Sequence, residues 1–417
     1  MGTISTGPEP GTSMRLGDYI IEIVQTQGKF VKIARIKLHG SKQFSGGGNC
    51  LEACKIMAHK EHNPFMINTP VIQRILPAEW APQSGVMLTW PHDQSDWQPY
   101  LAQVEPVYVN IARAVCKHER LLVCCRDELH VEHVRLQLEK SGIDQRRVSL
   151  QIAPSNDSWT RDHGPITLLQ DGAPVLLDFV FNGWGGKYAA QLDNRITRRL
   201  HAQGAFGATP IVTMDLVLEG GSIESDGQGT VLTTTQCLLS PKRNPHLTRT
   251  QIEQRVMQFF NLKHMLWLEH GHLEGDDTDS HIDTLARFCD AHTIAYVQCD
   301  DRADAHYADL HAMEQELHAL RDAQGKPYRL VPLPWPKAKT NADGKRLPAT
   351  YANFLIINGA VLAPTYRDAA DALALTRLRE CFPDRDIVPI DCLPLIYQFG
   401  SLHCISMQLP SGVLAPL

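Results

Sequence analysis

The sequence predicts an α/β protein assembled from several similar units, and three observations carry that prediction. Short apolar runs of strand length alternate with longer stretches whose apolar residues recur at helical spacing. The order strand, strand, helix, strand returns roughly every 60–80 residues, which argues for repeated small units in one domain rather than one doubly wound sheet. No GxGxxG follows a strand and no GxxxxGK[S/T] occurs, so neither common phosphate-binding loop is present.

Taken in order, residues 1–65 stand apart. They open rich in Gly, Ser and Pro, pass through the apolar run Tyr19–Val24 and reach Phe44-Ser-Gly-Gly-Gly-Asn49, a composition that predicts a poorly ordered N-terminal extension without a core of its own. Cys50, Cys54, His59 and His62 are metal-type ligands but lack the spacer of about a dozen residues found in a folded finger, so they read as a short helix with chance Cys and His. Met1-Gly-Thr-Ile-Ser-Thr6 matches a bare N-myristoylation pattern too short to carry weight. The main domain is expected over 66–417, its fold beginning near Met66 or Pro77.

Within that domain Trp97–His118 has helical spacing, Arg120–Cys125 reads as a buried strand, Glu128–Ser141 as an amphipathic helix and Val148–Ala153 as a strand. Strands Pro165–Leu169 and Pro174–Phe181 precede a helix at Tyr188–His201 and a strand at Pro210–Met214. The beat continues with strand Gly229–Thr234, helix Thr248–Phe260 and strand Leu266–Glu269. It returns as Ile282–Phe288, Thr293–Gln298, helix Ala303–Ala323 and Arg329–Pro332, then as Ala352–Ile357, Val361–Ala363, helix Asp368–Cys381 and Ile387–Asp391. Asp226-Gly-Gln-Gly229 reads as a hairpin turn rather than a phosphate cradle.

At 417 residues, 43% hydrophobic and 21% charged, the chain can bury a sizeable core. Its net charge of -6, with both signs mixed along the chain, argues against a nucleic-acid binder and makes small cations the more natural ligands. Eleven cysteines scattered in apolar runs without a secretory signal read as reduced thiols of a cytoplasmic protein. No apolar stretch reaches the ~18–20 residues that span a bilayer, so no membrane partner is expected.

Four segments carry chemistry. Ser155–Pro165 places two acids, Trp159 and a Gly-Pro turn just after a strand: a ligand rim, or a capped turn with Trp159 in the core. Glu219 ends the run Asp215–Leu218, and Gly220-Gly221 beside it let backbone approach closely; the plainer reading is a turn with a surface carboxylate. His270–Asp283 is the densest segment. His281 and Asp283, two apart at the start of a strand, are expected on one face, one as general acid/base and the other holding a cation. A metal set of His270, His272, Asp279, His281 and Asp283 is the rival, without an HExxH or paired CxxC to support it. Cys404 reads as part of a strand with His403 pointing to the opposite face, which makes His403 a poor base for it. Cys404 is either a nucleophile or one more inert buried thiol.

Together these segments resemble the agmatine deiminase family, which is grouped with bacterial-type peptidylarginine deiminases. Asn156–Pro165, Phe181–Lys187, Leu218–Ile223, Leu238–Pro245, Leu347–Phe354 and Leu402–Ile405 occur in the family's order, over roughly residues 70–412 of the chain. The resemblance implies the pentein fold, a five-bladed α/β propeller of ββαβ-like units around a central active site. It also implies hydrolysis of agmatine to N-carbamoylputrescine and ammonia through a covalent thiouronium, with no metal or organic cofactor. Cys404 would be the nucleophile, Asp162 and Asp283 would hold the guanidinium, His281 would move protons and Glu219 would orient it. Trp159 would wall the pocket and Asp277 would meet agmatine's ammonium. The chain departs from the usual pattern at Phe399-Gly-Ser-Leu402, where Gly-Gly-Asn-Ile is commoner, and at Thr284 in place of Asn. Peptidyl-arginine or another guanidino compound therefore stays open as substrate; a metal-dependent hydrolase and a non-catalytic binding protein are the rivals from other classes. A homo-oligomer is compatible with all of these.

Overall fold

The computed structural model describes residues 73–414 with their side chains and, before them, the backbone of three strands. Contacts divide the chain into two units, Met1–Pro70 and Val71–Leu417. In the first, β1 (Ser13–Leu16), β2 (Tyr19–Gln27) and β3 (Phe30–Leu38) pair antiparallel in that order. The Cys50–His62 group and the Met1–Thr6 pattern lie outside the described residues.

The second unit begins with β4 (Arg74–Ile75), β5 (Gln83–Thr89), β6 (Arg120–Cys125) and β7 (Val148–Ile152). It continues with β8 (Ile166–Gln170), β9 (Ala173–Val180), β10 (Ile211–Val217), β11 (Ile223–Ser225), β12 (Thr230–Thr234), β13 (His264–Leu268), β14 (Ala286–Asp290), β15 (Thr293–Val297) and β16 (Arg329–Leu333). After the short ribbon β17 (Lys339–Thr340) and β18 (Arg346–Leu347) come β19 (Leu355–Ile357), β20 (Ala360–Thr365), β21 (Asp386–Asp391) and β22 (Ser406–Pro410).

One pattern repeats. In β8–β9–β10, β11–β12–β13, β14–β15–β16 and β19–β20–β21 the first two strands pair antiparallel, a helix follows, and the third strand returns parallel to the second. Those helices span Ile196–Ala202, Arg249–Phe260, Tyr307–Ala319 and Asp371–Cys381. In the fifth sheet β22 pairs antiparallel with β5, which runs parallel to β6 across helix Leu101–His118; β7 then adds at the edge of β6. Strands from opposite ends of the unit thus share a sheet, and α/β architecture follows from the parallel crossovers.

Three local expectations need correction. The helix expected at Tyr188–His201 is confined to Ile196–Ala202, because Tyr188 reaches Asp277 at 2.7 Å and Leu192 donates its N–H to Asn156 at 2.8 Å, pinning loops instead of winding. The strand expected from Ile282 starts at Ala286. Residues Ile282–Thr284 form a 3₁₀ turn, closed by the Thr284 hydroxyl on the His281 carbonyl at 2.8 Å, after Asp279 and Ser280 take positive φ. Leu402–Ile405 is likewise a turn, with strand beginning at Ser406.

Candidate active site

Side chains from distant parts of the chain meet around Gly221. Asp162 sits in the short helix Thr160–His163 after β7, Glu219 and Gly221 follow β10, His281 and Asp283 precede β14, and Cys404 occupies the turn before β22. A Cβ at Gly221 would stand 2.6 Å from His281 Nδ1, 2.9 Å from Asp162 Oδ1 and 3.1 Å from Asp283 Oδ2, so only glycine leaves room for the three. Its N–H donates to Asp162 Oδ1 at 3.1 Å, while Trp184 Nε1 donates to Oδ2 at 2.9 Å. His281 and Asp283 do face one place, though through a turn rather than a strand.

Cys404 Sγ lies 3.7 Å from Asp283 Oδ2 and 3.4 Å from Asn353 Oδ1. Asn353 Oδ1 also accepts from the N–H groups of His403 (2.9 Å) and Cys404 (3.3 Å), and its Nδ2 donates to the Asp283 carbonyl at 3.2 Å. One amide therefore fixes the cysteine turn and the neighbouring acid together. His281 Nδ1 lies 3.6 Å from Asp162 Oδ1. Asp283 Oδ1 is buried without a hydrogen-bond partner, the state expected of an atom that awaits a polar ligand.

Glu219, fully buried, accepts from Arg243 Nε at 3.0 and 2.9 Å. Its carboxylate, the Cys237 thiol and a His281 ring nitrogen lie within 4.8 Å of one another, so Glu219 acts on His281 by its charge while Cys237 makes the closer contact. Burial pushes the Cys404 thiol well above its usual range, with Asp283 and Asp162 adding to the effect. Against burial, Asp162, then Cys237 and Glu219, raise His281 well above an ordinary imidazole. Burial lifts Asp162 to about 6, opposed by His281. The resting pair is thus a neutral thiol and an imidazolium.

A pocket of ≈ 30 Å³ is lined by Trp159, Asp162, Trp184, Tyr188, Asp277 and Cys404. Asp96, Asp157 and Asp276 share its lining, so its walls favour cations. Trp159 packs on Trp97 with ring centroids 5.6 Å apart, and Asp277, raised by burial, accepts from Tyr188. The rival metal set is not assembled. His270 is half exposed and bonds Glu316 at 2.7 Å, and Asp279 pairs with Lys187 and Arg243, each at 2.6 Å. The group the described residues do bring together, Glu219, Cys237 and His281, has Arg243 already on Glu219.

Asn353, Trp184 and Arg243 were missed as site residues, although each lies in a motif that the sequence displays. An Asn, a Trp and an Arg inside such motifs carry no chemical signature of their own until a partner is seen.

The sequence model of the Porphyromonas-type peptidyl-arginine deiminase family matches residues 75–410. An agmatine deiminase of Stutzerimonas stutzeri is 33% identical over 359 residues, which cover 81% of this chain and 95% of that protein. Among solved structures, an agmatine deiminase of C. jejuni with substrate bound is 36% identical with a TM-score of 0.76, covering 83% of this chain and 99% of that one. A Porphyromonas gingivalis protein provisionally described as an arginine deiminase is 51% identical with a TM-score of 0.76, covering 82% of this chain and 100% of that one.

Proposed function

The chain belongs to the Porphyromonas-type peptidyl-arginine deiminase family, and from that premise we propose that it is an agmatine deiminase. It hydrolyses the guanidinium of agmatine to N-carbamoylputrescine and ammonia, a reaction suited to polyamine synthesis. The observation that carries this reading is the convergence of Asp162, His281 and Asp283 on Gly221, with Cys404 Sγ 3.7 Å from Asp283 in a pocket walled by carboxylates.

A guanidinium stays protonated at neutral pH and offers planar N–H donors, which Asp162 and the unpartnered Asp283 Oδ1 accept. Its positive charge offsets the two carboxylates that hold the Cys404 thiol neutral, so binding the substrate favours the thiolate. Sulfur then attacks the central carbon and a C–S bond forms. His281 gives its proton to one amino nitrogen, the C–N bond breaks, and ammonia leaves, taking up in solution the proton the thiol released; His281 is left neutral. In the second half His281, as base, takes a proton from water, whose oxygen attacks the thiouronium carbon. The C–S bond breaks and the ureido product departs. Glu219 favours the protonated His281, Trp159 walls the pocket, and Asp277 receives the distal ammonium.

The finer architecture belongs to the same proposal. The five ββαβ sheets form five blades around this site, with β22 closing the ring onto β5. Residues 1–65 are an extension outside the catalytic domain of 66–417. No helix of the described residues is long and apolar enough to cross a membrane, and their nine cysteines are free thiols; both support a cytoplasmic enzyme.

The 51% identity to a protein described as an arginine deiminase keeps arginine-type substrates as a second reading. Ureido product and ammonia are to be measured with agmatine, free arginine and an arginyl peptide, beside Cys404→Ala. Agmatine is expected to dominate, and Cys404→Ala to lose at least ~10⁴-fold in kcat, the scale on which removing a nucleophile acts. A dominant preference for free arginine or the peptide overturns the substrate; an active Cys404→Ala overturns the mechanism.

A further inference from the structure

We infer that His403, set aside above as a base for Cys404, is a positioning residue: as an imidazolium clamped between Asp283 and Glu79, it fixes which Asp283 oxygen is left for the substrate cation. The inference rests on the function proposed above, but on geometry that proposal does not use. His403 Nδ1 lies 2.8 Å from Asp283 Oδ2, and Nε2 lies 2.7 Å from Glu79 Oε2, all three side chains being buried. An ionised carboxylate only accepts, so two such contacts need a hydrogen on each ring nitrogen or a protonated carboxyl.

Glu79 has reason to stay ionised. Arg287 Nη2 sits 2.7 Å from the same Oε2, and the Ile356 N–H donates to Oε1 at 2.6 Å. Burial together with Arg161 and Arg287 draws His403 toward neutrality, yet the two short carboxylate contacts require its second proton. With Oδ2 occupied by His403, Asp283 keeps Oδ1 unpartnered. Without His403 the carboxylate is free to rotate, and Oδ1 is no longer held out for the substrate cation. Glu79 and His403 also line a second cavity of ≈ 50 Å³ that does not include Cys404, so the clamp reaches the active site from behind.

The test compares alkylation of Cys404 by 2-chloroacetamidine, a small amidinium, with alkylation by neutral iodoacetamide. In both, sulfur displaces halide and forms one C–S bond; only the first needs a positioned carboxylate. His403→Gln is expected to slow the amidinium reaction, and kcat/KM for agmatine, by about 10–100-fold, the usual scale for losing a hydrogen-bonded supporting partner. The iodoacetamide rate should change less than about threefold, whereas general disturbance of the site slows both reagents alike. Equal slowing of both reagents, or an unchanged ratio, overturns the inference. His403→Asn serves if the glutamine variant does not fold.

The unaltered protein gives an independent reading by 15N-histidine NMR. Near neutral pH, two buried rings, those of His281 and His403, should carry protons on both nitrogens; a singly protonated His403 ring overturns the inference. Unaltered protein that converts no guanidine overturns the proposed function itself, a result distinguishable from a selective loss in the variant.

Discussion

Cys404 is surrounded by what opposes its ionisation, and the consequence is a pH profile set by its neighbours. Burial, Asp283 and Asp162 keep the thiol protonated, so the free enzyme titrates near neutrality through Asp162, lifted by burial to about 6. Asp162 is raised above its ordinary value, so it is ionised above about 6 and neutral below. A guanidinium needs it ionised. The prediction is a kcat/KM for agmatine that climbs with pH through about 6 and falls tenfold per unit below, as an apparent value of the coupled Asp162–His281 pair. Trp184 Nε1 donates to Asp162 Oδ2 at 2.9 Å and favours the ionised form, so Trp184→Phe should move that limb to higher pH. A hydrogen bond to a charged group is worth about 1.5–3 kcal/mol, which converts to roughly 1–2 pH units. A limb that stays in place would show that the acid limb belongs to another group.

The segment Gln398–Gly400 lines the pocket where the chain departs from the commoner pattern, and its packing states what the departure demands. Phe399 holds φ +67, and Lys345 Nζ sits 4.2 Å from its ring. A Cβ at Gly400 would stand 2.2 Å from the Trp159 ring, which itself packs on Trp97 and has little room to retreat. Gly400→Ala should therefore tilt the pocket wall, lowering kcat/KM for agmatine by about 10²-fold, the cost of misplacing a substrate by ~1 Å. The iodoacetamide rate at Cys404 serves as the check; a kcat/KM within threefold of wild type sinks the assignment of Trp159 as a wall. At this scale much was legible. Arg120–Cys125 is a strand to the residue, and Thr248 caps Arg249–Phe260 with Gln251 as the helix pattern requires. Gln83–Thr89 was not legible, because a strand buried on both faces shows no alternation and this one opens with Gln-Ser-Gly. The partners of His403 were not legible for a related reason: reading His403 and Cys404 as strand gave His403 a face but no partner, and Glu79 and Asp283 are 324 and 120 residues away.

Arg287 shows at the scale of the whole domain why the repeated units were legible and their connection was not. From β14 its guanidinium reaches Glu224 in β11 at 2.8 Å, Glu79 ahead of β5 at 2.7 Å and the Phe354 carbonyl ahead of β19 at 2.7 Å. One buried cation thus ties four sheets together. Apolar periodicity announces each sheet, but nothing local announces a pair separated by 208 residues. Removing Arg287 leaves Glu224 without the cation at its carboxylate and Glu79 with only His403 and, 3.9 Å away, Arg161; breaking a buried ion pair typically destabilises by about 3–5 kcal/mol. Arg287→Met should lose about that much in urea unfolding at pH 8. Burial already lifts Glu224 to about 7 with Arg287 present, and without the cation it rises further. A carboxyl whose folded value is raised destabilises the fold above that value and is relieved by protonation, so the deficit of Arg287→Met should shrink as pH falls from 8 toward 5. Adding Glu224→Gln should recover part of the loss at pH 8 and little at pH 5. A deficit below ~1 kcal/mol, or one that grows on acidification, would mean that the sheets are held by their apolar contacts and that the buried cation is incidental.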